Sequence, residues 1–191
     1  MVRVTPSLRR APFLLSLLLL AAACGQKLPE GREPPSRAAA SPATLPAVDP
    51  ARLQLAVAQS SELRAKGQRV WCVPFARTAS GIDILGNAKT WWEQAKGLYP
   101  RGHEPQGGAV MAFQPTGKIP LGHVAVVSEV VSPREILVDH ANWEKNEVSL
   151  RMAVVDVSKA NDWSAVRLES QPGTLGRVYP VKGFIYPKRD G

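Results

Sequence analysis

The pattern of apolar residues changes after Gly97, and this change constrains the fold more than any other feature of the chain. Before it, apolar residues recur at helical spacing in segments that begin near Asp49, Cys72 and Asn87. After it, β-branched or alternating segments are separated by Gly and Pro. The predicted strands are 108–113, 124–131, 135–142, 148–157, 163–168 and 181–186. This order predicts an α+β fold, with N-terminal helices packed on an antiparallel sheet of five or six strands.

Local signals place the first two helices. Asp49 followed by Pro50 is typical of a helix start, and Gly67 is a stop signal. Pro74 is compatible with a helix only in its first turn, because a proline has no N–H to donate further along. The second helix therefore begins at or beside Cys72.

The N-terminal residues have the layout of an export signal. Basic residues precede an apolar run in 1–23, and the small residues before Cys24 resemble a bacterial lipobox. The resemblance implies cleavage before Cys24, a lipid on its sulfur and membrane anchoring through that lipid. Residues 24–49 are rich in Pro and Ala and predict a tether, which leaves 50–191 as the domain.

Two other readings of Cys24 remain open. One is an ordinary cleaved signal peptide with an incidental cysteine, and the other is a Cys24–Cys72 disulfide in an oxidising compartment. A lipidated Cys24 followed by Gly25, which is not acidic, predicts placement on the periplasmic side of the outer membrane.

The charge of the chain indicates the kind of partner. Removing residues 1–23 takes away three arginines and no acidic residue, so the formal charge falls from +8 to +5. A moderately basic surface suits an anionic envelope polymer or a lipid surface. No arginine-rich run or aromatic–basic repeat indicates nucleic acid as a partner.

Cys72 and His123 together predict nucleophilic catalysis. A helix N-terminus and a nearby imidazolium both lower the pKa of a thiol and favour the reactive thiolate. His123 opens a strongly apolar predicted strand, where a histidine without a role is unusual. A nucleophile at a helix start facing a base on a strand is the papain-like layout, which predicts Cys72 as nucleophile and His123 as base.

Strand parity suggests which residue orients the histidine. A four-residue hairpin loop at 132–135 places Ala125 opposite Asn142, so His123, His140 and Asn142 share one sheet face. Asp139 then lies on the other face, away from the cysteine helix. Asn142 is the predicted third catalytic member, with His140 as a supporting residue.

A metal site is the alternative for the same side chains. Cys72, His123, His140 and Asp139 include ligand types that zinc accepts. Asp139 faces away in the predicted register, and no closely spaced ligand pair is present. The sequence therefore predicts no metal and no cofactor.

Five segments of the chain resemble the CHAP family of cysteine- and histidine-dependent amidohydrolase/peptidase domains. They are Val70–Arg77, Trp91-Trp92, Pro105–Val110, Gly122–Ala125 and Asp139–Trp143, in this order and spacing. The resemblance implies a papain-like α+β fold and hydrolysis of amide bonds in peptidoglycan, of the endopeptidase or N-acetylmuramoyl-L-alanine amidase type. It also implies Cys72 as nucleophile, His123 as base and Asn142 as the polar third member.

The chain departs from the family pattern at two positions. Many members have a glutamine directly before the cysteine and an acid two places before the asparagine, where this chain has Trp71 and His140. Gln68 is a candidate for the missing oxyanion donor. These departures leave two rivals on the same fold: a non-catalytic peptidoglycan-binding lipoprotein and an acyltransferase that uses thioester chemistry.

Overall fold

The computed structural model describes residues 48–188. The predicted signal peptide at 1–23, the lipid attachment at Cys24 and the tether up to residue 47 lie outside the described residues. None of the helices between 48 and 188 has the length and apolar character that crossing a bilayer requires.

Three helices form the N-terminal part of the domain and begin where the sequence predicts. Helix α1 (Pro50–Ala65) begins with Pro50 in its first position, and the Asp49 carboxylate accepts the N–H of Ala51 at 2.9 Å. Helix α2 (Cys72–Ser80) ends at Gly81, whose φ of 74° closes the last turn. The third helix, α3, spans Ala88–Gln94.

Seven strands follow the helices in an antiparallel arrangement. They are β1 (Arg101–Gly102), β2 (Val110–Phe113), β3 (His123–Ser132), β4 (Glu135–Ala141), β5 (Val148–Asp156), β6 (Ala165–Gln171) and β7 (Thr174–Ile185). The hydrogen-bonded order is β1-β7-β2-β3-β4-β5-β6, and β7 also pairs with β6. Six strands, β2 to β7, therefore close into a barrel, and the two-residue β1 extends β7. The α+β class is as predicted, whereas the closed barrel and β1 were not.

Strand β7 is the largest difference from the predicted elements. Its predicted range of 181–186 covers only the second half of Thr174–Ile185. Gly176 and Pro180 interrupt the apolar pattern of the first half, which nevertheless pairs with β6 along its length. The second half pairs with β1 and β2, so a single long strand joins the two ends of the sheet.

The sheet separates two apolar cores. One lies between the helices and the outer face of the barrel, where Val124, Val126 and Ala141 pack with Phe75 and Ala76 of α2. The other fills the barrel and is built from the alternate residues of the same strands. Its largest members are Met111, Phe113, Ile136, Trp163, Leu168 and Phe184.

The β3–β4 register keeps the predicted parity but not the predicted offset. Ser132 pairs with Glu135 as expected, but irregularities beside Ser128 and Val131 shift the pairing by two residues, so that Val126 lies opposite Asp139. Asp139 consequently lies on the sheet face that the helices cover further along. The sequence placed Asp139 on the face that points away from the cysteine helix, and this expectation is wrong. The face that points away from the helices is the barrel interior, and it is the histidines that face it.

Candidate active site

A groove of about 1080 Å³ runs over the end of the barrel beside the start of α2. Five segments line it: the approach to α2, the approach to α3, the loop before β3, the loop after β4 and the β6–β7 hairpin. The predicted site residues that line it are Cys72, His123 and Asn142. Three chain segments that are distant in the sequence thus meet at one opening.

Cys72 is the first residue of α2, as the position of Pro74 predicts. Its side chain is half-buried, and its sulfur lies near the backbone N–H groups of Val124 and Val73 as well as its own. The N–H groups of Cys72 and Val73 have no partner within the helix because they lie in its first turn. The sulfur therefore rests against the start of β3, one residue beyond His123.

Burial raises the pKa of the Cys72 thiol, and the backbone N–H groups near the sulfur offset only part of this effect. The direction is opposite to the lowering expected from the sequence. Within residues 48–188, no hydrogen bond joins the Cys72 sulfur to the imidazole of His123. The arrangement is thus one of a neutral thiol and a neutral imidazole in the same groove.

His123 is held by His140 rather than by Asn142. The Nε2 atom of His123 lies 2.9 Å from the Nδ1 atom of His140, which is hydrogen-bonding distance. Both side chains are buried. His140 was predicted only as a supporting residue, and the structure gives it the contact that the sequence assigned to Asn142.

Burial keeps both histidines neutral. It lowers the pKa of His140 to about 3, and it lowers the pKa of His123 well below its usual value, with a smaller contribution from repulsion by His140. No carboxylate contacts the pair in the described part of the chain. The Nε2 atom of His140 is buried and has no hydrogen-bond partner there.

Trp143 covers the histidine pair. Its ring stacks on that of His140 with an interplanar angle of 24° and a centroid distance of 5.7 Å, and it meets His123 at 5.0 Å. Phe113 packs against the other edge of His123. These aromatic contacts help to bury the imidazoles and restrict their orientation, a role that the sequence alone did not assign to Trp143.

Asn142 has a different role in the structure from the predicted one of orienting His123. Its φ of 61° takes it out of strand β4, and its Oδ1 accepts the backbone N–H of Asn146 at 3.0 Å. The Oδ1 of Asn146 in turn accepts the backbone N–H of Val70 at 2.9 Å. We call this pair of contacts the asparagine clasp. It ties the end of the histidine strand to the segment that leads into Cys72.

The oxyanion donor predicted at Gln68 is not part of the groove lining, and its exposed side chain precedes the segment that enters the site. Asn87 does line the groove. It precedes α3, but its side chain does not cap that helix. The groove thus has a second polar donor besides the Cys72 backbone N–H, on an element that the sequence treated only as a helix cap.

Asp139 does not join the site. One of its carboxylate oxygens accepts the backbone N–H of Arg151 at 2.7 Å, on the opposite sheet face from the histidines. Among residues 48–188, no group of three or more His, Cys, Asp or Glu side chains is arranged to hold a metal ion.

Residues 64–142 match the family model of the CHAP domain. The matched segment begins in the last turns of α1 and ends at Asn142, so it includes Cys72, His123 and His140. It supports the sequence-based assignment of this part of the chain to the CHAP domain, and it stops before β5, β6 and β7. No curated protein matches the chain.

Proposed function

We propose that this chain is a peptidoglycan hydrolase that cleaves amide bonds, of the endopeptidase or N-acetylmuramoyl-L-alanine amidase type, through a cysteine nucleophile. CHAP domains are in general amidase or peptidase domains, and the match over residues 64–142 supports an enzyme of this kind. The observation that carries the proposal is the meeting of Cys72 and His123 in one groove, with the Nε2 atom of His123 held by His140.

The hydrogen bond between the histidines decides which nitrogen acts as the base. When the Nε2–H of His123 donates to the Nδ1 of His140, the Nδ1 of His123 keeps a free lone pair. In the proposed papain-like mechanism, this nitrogen is the one that accepts the thiol proton of Cys72. The assignment requires His140 to carry its own proton on the buried Nε2, which lacks a partner among the described residues.

Catalysis then follows two steps. His123 accepts the Cys72 proton as the sulfur attacks the carbonyl carbon, and the tetrahedral intermediate collapses to a thioester as the amine leaves with that proton. In the second step, His123 removes a proton from water, the hydroxide attacks the thioester, and the carboxylic acid leaves as the thiol is restored. Because burial disfavours the charged form of both groups, it favours transfer of the proton during attack rather than before it.

The start of α2 supplies the oxyanion stabilisation. The Cys72 backbone N–H is free of helical hydrogen bonding and lies next to the reacting sulfur. The Asn87 side-chain amide is the second donor that we assign to this role, because it lines the groove without capping α3. Loss of one such donor typically lowers kcat by about 100- to 1000-fold.

The place of action in this proposal is the cell envelope. Export by the signal at 1–23, lipidation of Cys24 and the Pro/Ala-rich tether would hold the domain on the periplasmic side of the outer membrane, within reach of the wall. The N-terminal sequence pattern is what supports this proposed location. Mass spectrometry of the exported protein tests it, since an unmodified Cys24 would rule out the anchor.

The hydrolase proposal is tested with purified peptidoglycan. We expect the mature chain to release soluble fragments with new amine and carboxyl ends, as identified by mass spectrometry. Cys72→Ala should abolish the release, whereas Cys24→Ser, the matched cysteine control, should not. New amines on the glycan-proximal alanine would identify an amidase, and cuts within the stem an endopeptidase.

A non-catalytic binding lipoprotein is the second candidate. The raised pKa of the Cys72 thiol and the absence of a bond to His123 among the described residues favour it. Peptidoglycan that sediments with the wild-type protein but stays intact after long incubation would select this function.

A further inference from the structure

We propose that Arg69, held over the ring of Trp71, forms a binding subsite for a carboxylate of the substrate beside Cys72. The inference rests on the proposed function, because the subsite lies in the same groove. It adds the chemical class of the substrate: a peptide with a free carboxylate close to the amide that is cleaved.

The guanidinium of Arg69 is oriented but not neutralised. Its central carbon lies 4.1 Å from the centroid of the Trp71 ring, which is a cation–π contact. No salt bridge within residues 48–188 involves Arg69. A planar guanidinium without an acidic partner is suited to bidentate binding of a carboxylate.

The backbone around Arg69 is fixed relative to the nucleophile. Val70 is 1% exposed, and its N–H donates to Asn146 through the asparagine clasp. Trp71 is 44% exposed although it is large and apolar, and it lines the groove directly before Cys72. Trp71 is thus positioned to contact a ligand in the groove, because it lines the groove between an anchored valine and the nucleophile.

The rest of the groove lining also carries unpaired positive charge that would favour an anionic ligand. Lys118 and Arg177 line other sides of the groove, and neither forms a salt bridge in the described part of the chain. Of the two acidic residues in the lining, Glu169 uses one oxygen to accept the N–H of Gly173. Glu144 is the acidic side chain of the lining that makes no hydrogen bond among the described residues. Unpaired cations therefore outnumber unpaired acids around Cys72.

The proposal predicts different binding affinities for two forms of the same peptide. A stem-type tripeptide amide, L-Ala-γ-D-Glu-L-Lys-NH2, has its one free carboxylate on the α-carbon of the glutamate, and the corresponding glutamate carboxamide has the same shape without that charge. Arg69 can form charge-assisted hydrogen bonds only with the first. We therefore expect the carboxylate form to bind more tightly by roughly tenfold or more, since such bonds are stronger than neutral ones.

The experiment measures binding by calorimetry to the full mature chain carrying Cys72→Ser, so that turnover does not interfere. Arg69→Gln should remove the preference for the carboxylate form and leave affinity for the carboxamide unchanged. Arg167→Gln is the matched control, because Arg167 is exposed on β6 outside the groove. Glu144→Gln should act in the opposite direction and strengthen binding of the carboxylate.

The outcomes are distinct from those of the hydrolysis test. A preference for the carboxylate that disappears in Arg69→Gln supports the subsite even if peptidoglycan stays intact. Equal affinity for the two peptides, no binding of either at millimolar concentration, or an equal loss in Arg167→Gln overturns it, even if the chain is an active hydrolase.

Discussion

At the scale of single residues, the unusual feature is a histidine pair without an acid. In this chain His140 occupies the place of the carboxylate that many CHAP domains have, and it meets His123 at 2.9 Å. In the proposed mechanism, such a neighbour can fix the tautomer of the base but cannot neutralise the imidazolium that would form during attack. Sequence reasoning preferred Asn142, because it cannot foresee that a φ of 61° removes that side chain from the strand.

Substitution of the two candidate partners separates their roles. His140→Ala should lower kcat by at least about 100-fold, because His123 loses the group that fixes its tautomer. Asn142→Gly should lower kcat by about tenfold or less, because it affects only the asparagine clasp, and glycine accepts the positive φ. Rates of release of soluble wall fragments measure both. A larger loss in Asn142→Gly than in His140→Ala would restore Asn142 as the third member.

Stability should fall as the medium becomes acidic. The unfolded chain takes up a proton on His140 below about pH 6.5, whereas the folded chain does not until about pH 3, so folding stability is lost over this interval as the pH falls. One histidine contributes about 2 kcal/mol of the loss between pH 7 and pH 5. Urea unfolding at both pH values measures it. His140→Gln should abolish this part of the stability loss between pH 7 and pH 5, whereas His103→Gln, at an exposed site, should leave it unchanged.

At the scale of elements, the segment that leads into α2 is joined to the end of β4 by the asparagine clasp. The sequence predicted α2 closely because Pro74 and Gly81 act locally, and it predicted the shared face of His123 and His140 because two bulges shift the register by an even number. It did not predict the asparagine clasp. That contact links residues 76 positions apart, and no periodic pattern in the sequence predicts such a pairing.

Loss of the asparagine clasp should loosen the nucleophile more than the fold. Asn146→Gly removes the acceptor for the Val70 N–H while tolerating the φ of 64° at this position. We expect a loss of about 1 kcal/mol in unfolding free energy and a fall in kcat of about tenfold with little change in KM. Asn161→Gly is the matched control, at a φ of 54° in an exposed loop. Equal effects of the two variants on kcat would contradict the role of the clasp.

At the scale of the whole molecule, β7 closes the barrel and also seats α3. Gly183, at a φ of 142°, brings the strand against the Gly102 carbonyl and the Trp92 ring. A Cβ there would lie 2.5 Å from the carbonyl oxygen and 2.7 Å from the ring. The sequence placed Gly183 inside the predicted strand 181–186 but did not predict the close approach, because that depends on β1 and α3, which are remote in sequence.

Gly183→Ala should therefore destabilise the domain strongly. Backbone and ring must both move to admit the methyl group, which we expect to cost about 3 kcal/mol or more. Thermal unfolding followed by circular dichroism measures the loss. Gly117→Ala, where a Cβ would meet nothing within 4 Å, should unfold at nearly the wild-type temperature. A Gly183→Ala variant as stable as wild type would show that β7 does not need this close contact.

The family match ends at Asn142, but the cylinder of strands is completed by residues up to Ile185. An excised fragment cut at the matched boundary would carry β4 with its outer hydrogen-bonding groups unsatisfied and the barrel core open to water. Such a fragment would pair with copies of itself and precipitate. Anyone who shortens this protein for crystallisation or transplants its chemistry into another scaffold must keep the C-terminal third.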